Sequence, residues 1–263
     1  MVQQMARKIT HAIVRQPGTS FINAITSSKP PMQINYNKAL EQHANYCKAL
    51  QDCGVKVMSL PITNKYPDSC FVEDVAICTP QMAVLTLPGD IRRKDEVKNM
   101  KGPLKQFYNN NNLFQIIPPG TLDGGDVMEI NGHYYIGISN RTNENGANQL
   151  IQYLNNYGYT GSTIQVKDFL HLKSSITYLE NDLIITTSEF SENEHFKNMN
   201  KIIVQENIAA NCIWINDTIL IPQGCSSNIK DELKVYGYNN IHPIDMSEYN
   251  KVDGALTCLS LRI

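Results

Sequence analysis

Residues 126–139 read DVMEINGHYYIGIS, which is an apolar run, a short polar turn and a second apolar run. The turn is centred on Asn131-Gly132, two residue types that tolerate the positive φ angles of tight hairpin turns. The stretch therefore predicts a β-hairpin. Three other stretches repeat its pattern: DVAICTPQMAVLTLPG from residue 74, SITYLENDLIITT from residue 175 and CIWINDTILIP from residue 212.

Segments with helical periodicity lie next to these hairpins along the chain. They cover residues 36–54, 144–158, 196–210 and 229–237. Three of them end at a glycine (Gly54, Gly158, Gly237), the residue best suited to a left-handed helix C-cap, and extended segments such as VKVMSLP and STIQV follow. The recurring unit is therefore predicted to be hairpin, helix and strand, and repeats of this size are typical of solenoids and propellers.

The two ends of the chain hold apolar segments that have no partner among the four hairpins. They are THAIVRQPG (10–18) and ALTCLSLRI (255–263). Pairing them adds a fifth unit and closes a ring, which removes exposed strand edges. We therefore predict a single α/β domain over residues 1–263, a five-fold pseudosymmetric α/β propeller of repeated ββαβ units. An open α/β sheet with the last strand at its edge is the alternative that the pattern leaves open.

Composition limits the class of partner. The net charge of -2 and the 18% of charged residues argue against a nucleic-acid or anionic-membrane surface, so a small molecule or another protein is the expected partner. No apolar stretch is long enough to span a membrane, and the N-terminus lacks the apolar core of a signal peptide. The seven cysteines have no zinc-type spacing. We expect free thiols, a cytoplasmic location, no metal and no cofactor; a homodimer is compatible with the sequence.

Polar residues at matching places in the five units would converge on the axis of such a ring. Taken singly, each has an ordinary alternative as a solvated turn, a tight glycine turn, a structural histidine or a buried thiol. Together, a cysteine, a histidine and carboxylates are the parts of an activated-thiol site. The four places are PDSCFVEDVA with Asp68, Glu73 and Asp74; LDGGDV with Asp123 and Asp126; FLHLKSS with His171; and Cys258 in the C-terminal segment.

The chemistry that suits a thiolate among carboxylates is attack on a planar cation. A guanidinium group binds carboxylates through charge-assisted, bidentate hydrogen bonds. Cleavage at its central carbon requires a proton for the leaving amine and later the deprotonation of water, and His171 could perform both transfers. Asp123 could orient the imidazole and stabilise its charged form. These residues therefore predict a guanidine hydrolase.

The sequence resembles the dimethylarginine dimethylaminohydrolases, which belong to the amidinotransferase and arginine deiminase superfamily and have the five-fold α/β propeller fold called the pentein. The resemblance rests on HAIVRQPGTSFINAIT, FVEDVA, LDGGDV, SNRTNENGA, LHLKS, AANCIWIND and VDGALTCLSLR, which occur in this order over nearly the whole chain. It implies hydrolysis of dimethylarginine or monomethylarginine to citrulline and a methylamine.

The resemblance also implies roles for individual residues. Cys258 would form a covalent thiouronium, with His171 as general acid and then base and Asp123 as its acidic partner. The segment PGDIRRKDEV is one residue shorter than the family's usual run, so either Arg92 or Arg93 would be the second carboxylate clamp. The remaining implied substrate contacts are Glu73 and Asp74 to the guanidinium, Asp68 to the amino-acid end, Arg141 to the α-carboxylate, the backbone of Val252, and Ile25 at a lid position.

Other functions remain open from the sequence. The same ring could hydrolyse arginine, agmatine or another guanidine, since substrate methylation leaves no motif. A non-catalytic binding protein is a second alternative, because translation factors that block ribosomal subunit joining use a similar five-fold ring. A metal hydrolase is disfavoured by the absence of HxxxH and HxH spacing.

Overall fold

The computed structural model describes residues 7–225 and 228–263. Its strands are β1 (His11–Arg15), β2 (Lys56–Leu60), β3 (Ala76–Cys78), β4 (Ala83–Leu85), β5 (Leu113–Gln115), β6 (Val127–Ile130), β7 (His133–Ile138), β8 (Thr160–Gln165), β9 (Ile176–Tyr178), β10 (Leu183–Thr187), β11 (Asn200–Val204), β12 (Ile213–Ile215), β13 (Thr218–Pro222), β14 (Ile241–Ile244) and β15 (Leu261–Arg262). Its helices are α1 (Tyr36–Asp52), α2 (Lys101–Leu104), α3 (Glu144–Asn155), α4 (Ser188–Ser191), α5 (Asn207–Ala210), α6 (Asn228–Val235) and α7 (Ser247–Asn250). The first six residues of the chain, which belong to the N-terminal stretch that lacks the apolar core of a signal peptide, lie outside the described residues.

The strands form five three-stranded sheets with one common plan. In each sheet an antiparallel pair is followed by a third strand that runs parallel to the middle one. The orders are β15-β1-β2, β3-β4-β5, β6-β7-β8, β9-β10-β11 and β12-β13-β14. This arrangement confirms the predicted hairpin and strand unit and the five-fold α/β propeller.

The predicted turn and cap chemistry is present at the unit boundaries. Asn131 and Gly132 both have positive φ angles, 52° and 81°, as a tight hairpin connection requires. Asn35 is the N-cap of α1, and its side chain accepts the backbone N–H of Lys38 at 3.1 Å. After the C-terminal end of this helix, Gly54 has φ 80°. Local sequence therefore determines where these elements begin and end.

The ring closes by pairing of the two chain ends, as predicted. Strand β15 runs antiparallel to β1, with Ala12 opposite Arg262 and Ile13 opposite Leu261. Only Leu261–Arg262 is extended, however, because the preceding residues Thr257–Leu259 form a 3₁₀ turn that carries Cys258. The thiol is thus on a turn next to the axis instead of on a strand.

The predicted helix over residues 196–210 is wrong. The structure has β11 (Asn200–Val204) in this segment, parallel to β10, and the one-turn helix α5 (Asn207–Ala210). Ile202 and Val204 are buried whereas Ile203 between them is exposed, which is the two-residue period of a half-buried strand. Pairing with β10 as the third strand of this sheet, together with the strand preference of the β-branched side chains, outweighs the weak helical periodicity of the segment.

Five short turns surround the axis, one before the first strand of each sheet, and we call them the inner ring. They are the 3₁₀ turns Val72–Val75, Gly124–Asp126, Leu172–Ser174 and Thr257–Leu259 and the helix α5. The first turn contacts the second and the fourth, and the third contacts the second and α5. The apolar core forms five clusters, and inner-ring residues such as Val72, Leu172 and Leu259 contribute to them. The fold therefore brings together segments that are far apart along the chain; Glu73 of the first turn, for example, accepts a hydrogen bond from Arg262, 189 residues away.

Across residues 7–225 and 228–263, no helix has the length and apolarity needed to cross a membrane.

Candidate active site

A cavity of about 170 Å³ lies beside the inner ring. It brings together most of the residues that the sequence singles out, although they come from distant parts of the chain. Those that line it are Ile25, Asp68, Asp74, Arg93, Arg141, His171, Val252 and Cys258. Asp123 lies behind His171, whereas Glu73 lines a second cavity of about 210 Å³ and Arg92 lines neither of these two cavities.

His171 and Asp123 form a buried imidazole–carboxylate pair. The His171 Nε2 lies 3.0 Å from Asp123 Oδ2, and the other carboxylate oxygen accepts the backbone N–H of Gly89 at 2.9 Å. Burial by itself would lower the pKa of His171, but the carboxylates of Asp74, Asp126 and Asp123 outweigh it and raise the pKa to about 9. The imidazole is therefore protonated at neutral pH and holds a proton that it can donate.

The two glycines of LDGGDV are there because neighbouring groups leave no room for a side chain. A Cβ at Gly124 would collide with the carbonyl oxygen of Glu73, and one at Gly125 would lie 2.6 Å from His171 Nδ1 and 3.1 Å from Asp74 Oδ1. The backbone N–H of Gly125 also donates to Asp74 Oδ1 at 3.0 Å. Gly125 therefore permits the imidazole and the carboxylate to approach the same stretch of backbone.

Substituting Gly125 tests this close approach. We expect Gly125→Ala to displace the imidazole and to lower kcat roughly 10- to 100-fold, since misplacement by about 1 Å can cost that much. Gly102→Ala is the matched control, because a Cβ at Gly102 meets nothing within 4 Å. Steady-state kinetics and thermal melting of both variants check the prediction. A Gly125→Ala enzyme with kcat within twofold of the control would contradict it.

Asp74 is held by a buried arginine. Arg93 Nη1 lies 2.5 Å from Asp74 Oδ2, and the same guanidinium donates to the Glu96 carboxylate and to the backbone carbonyls of Asp68 and Phe71. Burial opposes ionisation of Asp74, but the positive charges of His171 and Arg93 prevail and lower its pKa to about 2. Arg93 thus lines the cavity with its donors already engaged by protein groups.

Glu73 faces away from Asp74 although the two are adjacent in sequence. A 3₁₀ turn advances about 120° per residue, so consecutive side chains point in different directions. The Glu73 Oε1 lies 2.6 Å from Lys173 Nζ and 3.0 Å from Arg262 Nη2. Its Oε2 is buried and has no hydrogen-bond partner in the part of the chain that the structure describes. One oxygen of Glu73 is therefore available to accept a hydrogen bond from a ligand.

Cys258 is a thiol in a negatively charged surrounding. Burial and the carboxylates of Glu73 and Asp74 raise its pKa to about 12, only partly offset by a backbone hydrogen bond and by Lys173. The thiol is thus neutral without a ligand. A cation bound between the carboxylates and the sulfur would reverse the sign of the local potential and favour the thiolate.

Arg141 and the Arg92–Arg93 pair differ in how many of their donors are engaged. Among the described residues, the Arg141 guanidinium makes no hydrogen bond; its Nη atoms lie 3.6 Å from Asp123 and 3.7 Å from Asp90. Arg92 instead pairs with Asp90 at 2.5 Å, and its side chain is largely exposed. The cavity therefore presents one cationic side chain, Arg141, with unused donors.

The segment around Ile25 is tied to the rim of the cavity by carboxylates. The backbone N–H of Ile25 donates to both oxygens of Asp68, at 3.2 and 3.3 Å, and that of Ser27 donates to Asp253 at 2.6 Å. Burial raises the pKa of Asp68 to about 6, although Arg93 opposes the shift. Val252 is adjacent to Asp253, so the predicted lid residue Ile25 and the predicted backbone contact of Val252 lie at the same edge of the cavity.

Several residues of the site received no role from the sequence: Asp126 was named within LDGGDV without one, and four further charged residues were not singled out. Asp126 accepts hydrogen bonds from Ser139, Thr142 and the backbone of Leu172. The remaining ones are charged residues that pair with predicted ones, Asp90, Glu96, Lys173 and Arg262. The motif LDGGDV was enough to point to Asp126. No local pattern identifies the other four, because Lys173 and Arg262 pair with a residue that is distant in sequence, and the roles of the arginines that pair with Asp90 and Glu96 were left open.

Asp74, Asp123 and His171 place ligand atoms within 4.8 Å of one another, a spacing at which a metal ion could bind. The donor set fits a cation poorly, because Arg93 already pairs with Asp74 and the protonated imidazole already bonds Asp123. The positive charge next to these carboxylates is supplied by the Arg93 guanidinium and the His171 imidazolium.

Comparison with known proteins identifies the family. The model of a family described as N,N dimethylarginine dimethylhydrolase, eukaryotic, matches residues 10–211. The chain belongs to the dimethylarginine dimethylaminohydrolase family. It is 39% identical over 257 residues to the N(G),N(G)-dimethylarginine dimethylaminohydrolase of Pseudomonas aeruginosa, with 96% of this chain and 98% of the relative covered.

Solved structures of the dimethylarginine dimethylaminohydrolase family agree with the fold. One is the Pseudomonas aeruginosa enzyme as a cysteine-to-serine variant complexed with citrulline; its TM-score is 0.93 at 37% identity, over 98% of this chain and all of that one. Another is a dimethylarginine dimethylaminohydrolase with histidine replaced by glycine, an adduct with S-methyl-L-thiocitrulline, with TM-score 0.93 at 38% identity over 97% and 100% of the two chains. Members of this family are amidine-hydrolysing enzymes.

Proposed function

We propose that this chain hydrolyses the guanidino C–N bond of an Nω-methylated arginine to give citrulline and a methylamine, through a covalent adduct on Cys258. The observation that carries the proposal is the cavity itself. It holds a thiol, a protonated imidazole and a carboxylate in one place, in a chain of the dimethylarginine dimethylaminohydrolase family. The solved relatives with citrulline and with an S-methyl-L-thiocitrulline adduct support the same substrate class.

The substrate cation activates the thiol. Asp74 and the unpartnered oxygen of Glu73 provide the negative potential that attracts a guanidinium and, without it, keeps the thiol of Cys258 protonated. When the cation binds, it offsets this potential and the thiolate forms. Thiolate formation and substrate binding are therefore coupled.

The reaction then proceeds in two steps at the central carbon of the guanidinium. In the first, the Cys258 sulfur attacks this carbon, the C–N bond to the methylated nitrogen breaks, and the leaving amine takes the proton of His171. In the second, neutral His171 accepts a proton from water, the oxygen attacks the same carbon, and the C–S bond breaks. The second proton of the water passes to the departing Cys258 sulfur, so the thiol is restored and the water oxygen becomes the ureido oxygen of citrulline.

Recognition of the amino-acid end rests on two groups at the cavity rim. The Arg141 guanidinium makes ion pairs of 3.6–3.7 Å but no hydrogen bond to a described protein group, so its donors can bind an α-carboxylate. Asp68 lies near the Ile25 segment and suits an α-ammonium group, which is the amino-acid contact implied by the family. Of Arg92 and Arg93, Arg93 lines the cavity and is therefore the better candidate for the second carboxylate clamp. Because protein groups already engage its donors, it would act on the substrate carboxylate through its positive charge.

Arg141→Ala tests whether the substrate is a free amino acid. We expect kcat/KM for methylarginine to fall roughly 10- to 150-fold, since a charge-assisted hydrogen bond is typically worth about 1.5–3 kcal/mol. Agmatine, which lacks the carboxylate, should be a poor substrate of the wild type and should lose little more in the variant. Arg92→Ala is the matched control and should retain most activity towards both compounds. Equal losses for agmatine and methylarginine would mean that Arg141 is structural.

Citrulline formation by the purified protein tests the function as a whole. Asymmetric dimethylarginine, monomethylarginine and arginine are supplied separately, and citrulline and the released amine are quantified. We expect kcat/KM to be highest for a methylated compound. A preference for unmethylated arginine would favour a deiminase on the same fold, and no product from any of the three would reject the proposal.

The cell compartment and the domain organisation follow as proposals. All seven cysteines are free thiols in the described residues, which is typical of a reducing compartment, and we place the protein in the cytoplasm. Four of the five inner-ring turns supply or directly support groups of one site, so residues 1–263 are best treated as a single catalytic domain.

A further inference from the structure

One turn of the inner ring has no part in the chemistry described so far. The turns with Glu73 and Asp74, with Asp126, with Lys173 and with Cys258 all supply or directly support groups of the site. The fifth, α5, is followed by its C-cap residue Asn211, which is 2% exposed. A buried polar residue at the equivalent place of the fifth unit calls for a physical reason.

The carboxamide of Asn211 joins two functional turns. Its Oδ1 accepts the backbone N–H of Thr257 at 2.9 Å, and its Nδ2 donates to Thr257 Oγ1 at 3.0 Å and to the backbone carbonyl of Lys173 at 2.8 Å. Thr257 immediately precedes Cys258, and Lys173 is two residues after His171. One planar group therefore fixes the turn that carries the thiol against the turn that follows the imidazole.

We propose that Asn211 is a positioning residue that sets the placement of the Cys258 sulfur relative to the His171 imidazole. This inference rests on the proposed function, in which both groups act on the same carbon. Each of the two turns is only three residues long, so its own backbone bonds provide little rigidity. A side chain that bonds both turns at once supplies it.

The chain provides a matched control in Thr177. Its Oγ1 donates to the carbonyl of Ala210 at 2.6 Å and accepts the N–H of Cys212 at 3.3 Å, so it holds the residues on both sides of Asn211. Thr177 is equally buried, and within residues 7–225 and 228–263 its side chain bonds neither Thr257 nor Lys173. Thr177→Val therefore weakens the same segment without touching the proposed link.

The first experiment compares Asn211→Ala with Thr177→Val, using the methylated arginine that the wild type hydrolyses fastest. We expect both variants to melt at lower temperature. Only Asn211→Ala should lose kcat, by roughly 10- to 100-fold, with KM within about threefold of wild type, because the substrate contacts remain while the reacting groups are misplaced. If the alanine variant does not fold, Asn211→Ser is measured in its place.

The second experiment needs no substrate. Asn211→Asp keeps the acceptor for Thr257 but loses both donors and adds a negative charge next to the turn of Cys258. Alkylation of Cys258 by iodoacetamide, followed by peptide mass spectrometry as a function of pH, should therefore have its midpoint at higher pH than in the wild type and in Thr177→Val.

The outcomes separate this inference from the proposed function. Equal kcat values for Asn211→Ala and Thr177→Val, per folded molecule, would overturn the positioning role, as would an unchanged alkylation midpoint in Asn211→Asp. A third outcome is that the wild-type protein yields no citrulline but Asn211→Asp still shifts the alkylation midpoint to higher pH. This outcome would support the coupling of Asn211 to Cys258 and reject methylarginine hydrolysis.

Discussion

Cys258→Ser should abolish turnover while the fold survives. A serine hydroxyl stays protonated near neutral pH and is a far weaker nucleophile than a thiolate, and the substitution changes the side-chain volume little. We expect kcat to fall at least about a thousandfold, in line with the loss of a nucleophile in other hydrolases. Citrulline release measures the loss, and thermal melting should show an unchanged transition.

Cys47→Ser is the matched control for this substitution. Cys47 is also partly buried and burial raises its pKa to about 11, but it lies on α1 and does not line the cavity. The control should retain wild-type activity. A Cys258→Ser enzyme within tenfold of wild type, a barrier change of only about 1.4 kcal/mol, would rule out Cys258 as the nucleophile.

His171→Gly should separate the two steps of the reaction. Removing the imidazole takes away both the proton for the leaving amine and the base for water, and general acid–base catalysis is typically worth about 10²- to 10⁴-fold. Because the cation can still favour the thiolate, some adduct should form and then persist. Mass spectrometry of the denatured protein should find substrate-derived mass on Cys258.

The pH dependence gives a second signature of His171. Its pKa is raised to about 9, so the acid form is present below that pH and is lost as the pH rises through it. Wild-type kcat should therefore decline above about pH 9, and the glycine variant should lack this decline. His242→Gly, an exposed position on β14, serves as control. Fast turnover without any adduct in His171→Gly would contradict the assigned role.

Local patterns were enough for the elements whose stability is local. The hairpin at Asn131-Gly132 and the helix end at Gly54 depend on backbone angles that a few residue types accept, so two or three letters predict them. Local periodicity wrongly predicts a helix over residues 196–210, because the Ile and Val residues of this segment fit a helical period as well as an alternating one. Pairing with β10, which is invisible locally, decided in favour of the strand.

The sequence also predicts which residue types form the site, but it does not predict the directions in which their side chains point. The family resemblance implies one shared role for Glu73 and Asp74, yet the 3₁₀ turn directs their side chains to different cavities. Arg93 and Arg141 are the same residue type, yet Arg93 has its donors engaged by Asp74 and Glu96, whereas the Arg141 guanidinium makes only longer ion pairs and no hydrogen bond in the described part of the chain. Such differences arise from partners that are far away in sequence.

The sequence by itself determined the repeated unit and the set of thiol, imidazole and carboxylates, because periodicity and turn chemistry are local and the motifs are short. It predicted closure of the ring by the chain ends, and the long-range pairing of β1 with β15 decided it against an open sheet. Only the tertiary structure decided which charges neutralise one another, which oxygen of Glu73 stays open and that Asn211 ties the turn of Cys258 to that of Lys173. The physical reason is that hydrogen bonds and ion pairs act over about 3–4 Å in space, whatever the separation along the chain.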